Sequence, residues 1–144
     1  MKRSWQSERF AQLRRIAADL SRQYSVTVRR VKSIRGLANI MDGERIIWAP
    51  PVRGYVSFAV FCHEIGHHAL GQFERKSPTW KEELAAWKFA KDTFAEHDIK
   101  WVQSVQALVR SCLARMIAED LKPEQYSMMS PELRALKILE DAGM

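Results

Sequence analysis

The sequence predicts one α+β domain in which helices surround a small three-stranded sheet. Three observations lead there. Apolar residues recur at three- and four-residue steps near both ends of the chain, the period of amphipathic helices. An alternating stretch and an Asp-Gly pair between apolar runs indicate short strands. A run from Val56 to Cys62, almost wholly apolar, leads into His63-Glu64-Ile65-Gly66-His67 and reads as a buried helix. The chain has 144 residues, the size of a single domain. Its core is expected over about residues 5–95. A helical part should follow over about 98–142.

The elements follow in order. Residues 5–24 form a first helix, with Phe10, Leu13, Ala17, Leu20 and Tyr24 on one stripe and Ser4 as its N-cap. From Ser25 to Val31 the pattern alternates, with Val26 and Val28 on one side and Thr27 and Arg29 on the other, as in a strand. Leu37 to Met41 and Glu44 to Trp48 flank Asp42-Gly43, a two-residue hairpin whose central positions need positive φ. Pro50-Pro51 stops the last strand. The central helix runs from about Val56 to Leu70, and Gly71 ends it.

The next helix starts near Ser77 to Thr79, where two caps compete. Ser77-Pro78 places proline at the first helical position. Thr79 and Glu82 instead have the spacing of a capping box. In the second case Glu83 is free to turn elsewhere, and Ala86 and Ala90 on its face admit a close neighbour. A further helix, about Trp101 to Leu121, carries Val102, Val105, Val109, Cys112 and Met116, and Lys122-Pro123 ends it. After a loop with Tyr126 and Met128, Ser130-Pro131-Glu132 opens a last short helix through Leu133, Leu136 and Leu139, with Gly143 past its end.

Composition narrows the function classes. Ser4, Gln6, Ser7 and Glu8 interrupt any signal-peptide core, and no apolar run approaches membrane-spanning length. Cys62 and Cys112 sit in apolar helical patterns without ligand spacing, so they read as two buried reduced thiols of a cytoplasmic protein. The net charge is +6, and residues 1–35 alone carry ten Lys or Arg against two acids. That is the footprint of a solvated helix face, and secondarily of an arm for nucleic acid or an acidic partner.

The chemistry concentrates in His63-Glu64-Ile65-Gly66-His67. Two imidazoles four residues apart share one helix face, so both can reach a single zinc ion. Glu64 is rotated by roughly 100° from His63 and can act as general base on a water without being a ligand. A catalytic zinc also needs a third protein ligand and an open position. The metzincin continuation is excluded, because Leu70 and Phe73 stand at its glycine and final histidine positions. A glutamate on the following helix is the thermolysin-like alternative. Glu83 ranks first, then Glu82 and Glu74, with His97 outside them. Tyr55, Tyr126, His68 and His97 are candidates to steady an oxyanion. His68, one position past His67, points off the zinc face and suits a supporting polar role.

The order of helix, small sheet, His63-Glu64-Ile65-Gly66-His67 and then Glu83-Leu84-Ala85-Ala86-Trp87-Lys88-Phe89-Ala90 resembles the ImmA/IrrE family of zinc metallo-endopeptidases. The resemblance covers about residues 5–95. It implies a zincin-like, gluzincin-type fold, with His63 and His67 as zinc ligands, Glu64 as general base and Glu83 as third ligand. Trp87 stands where the family usually has asparagine. The resemblance further implies one catalytic zinc, a cytoplasmic location and a protein substrate, which for several members is a DNA-binding transcriptional repressor. Two other readings compete. One is a non-catalytic protein-binding module stabilised by zinc, and the other a basic accessory protein for nucleic acid.

Overall fold

The computed structural model describes residues 2–74, 77–121 and 129–144. They form helix α1 (Lys2–Gln23), strands β1 (Thr27–Arg30), β2 (Leu37–Met41) and β3 (Glu44–Ala49), and helices α2 (Tyr55–Ala69), α3 (Trp80–Glu96), α4 (Gln103–Asp120) and α5 (Pro131–Asp141). Among the described residues the architecture is α+β, five helices with a sheet of order β1-β3-β2. No described helix is long and apolar enough to cross a membrane.

Helix α1 begins at Lys2, so Ser4, expected as its cap, lies inside the helix. Leu13, Ile16, Ala17 and Leu20 are buried and hold it to the core. Ser25 turns the chain with φ 53°, and β1 therefore starts only at Thr27. Asp42 and Gly43 both take left-handed φ, 52° and 79°, and close the β2–β3 hairpin. β1 pairs with β3 in parallel, which places β3 in the middle of the sheet and leaves β2 on an edge.

Helix α2 is the centre of the fold. It touches β2, β3, α1, α3 and α4. Every residue from Phe58 to His68 is buried, so the helix has no solvent face along that stretch. Each large apolar side chain that it buries, such as Phe58 or Ile65, stabilises the fold by about 1.5–3 kcal/mol. Ser57 in its first turn holds the chain entering the helix: the Arg53 and Gly54 amides donate to Ser57 Oγ at 2.8 and 3.2 Å. Leu70, expected as the last residue of this helix, is its C-cap and is exposed, because α2 ends at Ala69 and Gly71, with φ 66°, turns the chain away.

At the start of α3 the capping box prevails over Ser77-Pro78. The Glu82 amide donates to Thr79 Oγ1 at 3.2 Å, and the Thr79 amide donates to Glu82 Oε1 at 3.0 Å. In α4 the buried stripe is Val105, Val109, Leu113 and Ile117. Cys112, expected in that stripe and buried, is exposed. Met116 is only half-buried. Each precedes a buried residue by one position, a rotation of roughly 100°. Ser130 caps α5 by accepting from the Leu133 amide at 3.3 Å, with Pro131 in the first turn. The expected Lys122-Pro123 stop, Tyr126 and Met128 lie outside the described residues.

Helices α2 and α3 cross closely at Gly66. A Cβ at this position would lie 3.0 Å from the Ala86 carbonyl oxygen and 3.1 Å from Phe89 Cδ1. Gly66→Val should therefore lower stability in urea unfolding by about 1–3 kcal/mol, the usual cost of overpacking. Gly66→Ala should cost less, since alanine gains about 1 kcal/mol of helix propensity. Equal stability of the valine variant and wild type would contradict the crossing.

Candidate metal centre

One helical turn separates His63 from His67, and their rings lie 4.7 Å apart between centroids. Both rings turn toward α3. His63 Nε2 is 2.7 Å from Glu83 Oε2, and His67 Nε2 is 3.1 Å from Glu83 Oε1. Glu83 can make both contacts because Glu82 is committed to the cap. The ligating atoms of His63, His67 and Glu83 lie within 4.8 Å of one another and could hold a metal ion. Two imidazoles and a carboxylate are the donor set of many catalytic zinc sites, and three donors leave a fourth position open.

The surroundings fix these rings differently. His67 Nδ1 donates to Gln72 Oε1 at 2.8 Å, which fixes the ring with Nε2 directed at Glu83. The left-handed turn at Gly71 makes that possible by folding Gln72 back under the helix end, where its amide donates to the His67 carbonyl at 3.1 Å. His63 Nδ1 lies 2.9 Å from Glu64 Oε1, and the flat of its ring stacks on Trp87 at 4.0 Å and 13°.

Glu64 is buried. The loop leading into β2 crosses directly over it: a Cβ at Gly36 would meet Glu64 Cγ at 2.7 Å and the Trp48 carbonyl oxygen at 3.1 Å. Glycine is required here for close approach. Sequence reasoning missed Gly36, Gln72 and the Trp87 stack. The only available signals were a glycine before a strand and a glutamine after a helix stop.

Burial alone would pull the His63 pKa down, but the hydrogen bonds and charges of Glu64 and Glu83 outweigh it and push the group up to about 9. Burial would raise Glu83, and hydrogen bonds and charge from His63 and His67 instead bring it down to about 2. In the metal-free chain His63 and Glu83 thus form a buried ion pair.

The remaining sequence candidates fall elsewhere. His68 faces the sheet: its Nε2 donates to the Ile46 carbonyl at 2.9 Å, and Arg45 Nη2 donates to the His68 carbonyl at 2.8 Å. Burial first of all, and then the Arg45 charge, lower its pKa. Glu74 is exposed and outside the cluster. His97 ends α3 with Nδ1 donating to the Thr93 carbonyl at 3.0 Å. The Tyr55 hydroxyl accepts from Arg9 Nε at 3.3 Å. Compared with family profiles, curated proteins and solved structures, the chain matches none.

The two shifts set a pH window for the metal-free chain. Glu83 has a lowered pKa, so its stabilisation is present above about 4.5 and lost as pH falls toward about 2. His63 has a raised pKa, so its stabilisation is present below about 6.5 and lost as pH rises through about 9. Thermal melts in a chelator should show the largest gap between wild type and Glu83→Gln at pH 4.5–6.5. A gap constant from pH 3 to pH 10 would contradict the ion pair.

Proposed function

We propose that the protein is a zinc-dependent metallo-endopeptidase of zincin-like fold, related to the ImmA/IrrE family, that hydrolyses peptide bonds of a protein substrate. The observation that carries this reading is the convergence of Glu83 on both Nε2 atoms of His63 and His67. In this reading those three residues hold the ion. Bound zinc would polarise the substrate carbonyl and make a water acidic enough to attack at neutral pH.

The chain's own groups do the rest. Glu64 accepts a proton from the attacking water and returns it to the leaving amide nitrogen. It is buried, with Oε1 2.9 Å from His63 Nδ1. His68 and Arg45 anchor α2 to β3, so that the ligand face keeps its direction. Strand β2 is an edge, and Leu37, Ile40 and Met41 are exposed along it. An extended segment of substrate can pair with that edge and run past Glu64.

A zinc module with no reaction to perform would need Glu64 only as the partner of His63 Nδ1. A purely structural site would also close with a fourth ligand, whereas the described residues offer three. The exposed Arg14, Arg15, Arg29, Arg30, Lys32 and Arg35 suit an acidic partner surface. A DNA-binding repressor is the substrate that the family resemblance suggests. Cytoplasmic residence is supported by Cys62 and Cys112, which are both free thiols.

The test compares zinc content and cleavage of a protein-derived peptide mixture by wild type, Glu64→Gln and Glu83→Ala, with new termini read by mass spectrometry. Glu64→Gln should keep its zinc and lose about 10²–10⁴-fold in rate. Glu83→Ala should lose zinc. Undiminished cleavage by a zinc-loaded Glu64→Gln would overturn the role of the base.

A further inference from the structure

We propose that Trp87 is a positioning residue of the metal centre. Its indole serves as a platform that fixes the plane of the His63 imidazole and raises the affinity of the site for its ion. The inference rests on the reading of His63 as a metal ligand. It deepens that reading by giving the first histidine a support unlike that of the second.

His67 has a dedicated hydrogen-bond acceptor in Gln72. The group facing Nδ1 of His63 is Glu64, the same carboxylate that must handle protons during hydrolysis. A base cannot be free to accept a proton and also be the sole anchor of a ligand ring. Stacking removes the conflict, because it orients a ring without using either nitrogen.

The geometry is suited to that role. The rings of Trp87 and His63 lie 4.0 Å apart and 13° from parallel, and Trp87 is buried. Trp87 follows Glu83 by four residues, so ligand and platform occupy one face of α3. The close crossing at Gly66 and Ala86 brings that face near enough for the indole to lie flat on the imidazole. An imidazole that donates to a cation becomes electron-poor, and the electron-rich indole face attracts it more strongly in that state. Trp87 therefore favours the metal-loaded form, which a residue merely filling the core would not do.

The test measures zinc dissociation constants by chelator competition for wild type, Trp87→Phe and Trp87→Leu, alongside melts in chelator. Trp87→Leu should bind zinc about 10–100-fold more weakly, the usual loss when a ligand's support is removed. Trp87→Phe, which keeps a ring face, should stay within about threefold of wild type. If the leucine variant fails to fold, cobalt(II) titration of wild type and Trp87→Phe carries the test. Indole emission should be quenched in wild type, and most of that quenching should disappear in Trp87→Phe. Unchanged zinc affinity in Trp87→Leu, a loss in Trp87→Phe as deep as in Trp87→Leu, or equal quenching in wild type and Trp87→Phe would overturn the inference while the ligand reading stood. A wild type that takes up neither metal would overturn both.

Discussion

The fold depends on a carboxylate held between two imidazoles across a helix crossing. Taking one acid and two histidines out of water is costly, and an incomplete set would be worse than none. The molecule offsets the cost by completing the set. Glu83 spends one oxygen on each histidine, and no buried side-chain polar atom among the described residues lacks a partner. This requires the two backbones to come close, and hence a residue without a side chain at Gly66 and a small one at Ala86. The same crossing that packs the core aims the three donors at one point.

The consecutive histidines His67 and His68 show how one helix serves two tasks. They differ by about 100° around the axis, so one looks at α3 and the other at the sheet. His68 bonds the Ile46 carbonyl and is itself braced by Arg45, which joins α2 to the central strand on the side away from the donors. The helix is thus gripped on both flanks. Its direction is set by polar contacts of fixed geometry as well as by apolar packing, which tolerates sliding.

Local rules made much of this legible in the sequence. Asp42-Gly43, the Thr79–Glu82 box and Ser130-Pro131 are signals within a few residues of one another, and each appears as written. The choice of Glu83 over Glu82 followed from the cap, a local fact with a long-range consequence. What escaped was set by tertiary placement. Gln72 is polar and unremarkable until the Gly71 turn carries it under His67. Gly36 reads as loop until Glu64 lies beneath it. Cys112 and Met116 were assigned to the buried stripe because α4 is apolar over a wide arc, and only the direction of its neighbours decides which part of the arc is covered.

The sheet has a purpose that its size does not suggest. The two outer strands, short and mostly exposed, contribute modestly to the core. Their position matters more. β3 supplies Ile47 and Ala49 to the core against which α2 is buried, and its Ile46 carbonyl is the one that His68 bonds. The chain then reaches β2 through Gly36, which touches both the Trp48 carbonyl of β3 and the side chain of Glu64. The β2 edge of the sheet therefore begins close to the carboxylate. Any side chain at position 36 would have to displace either the acid or the strand.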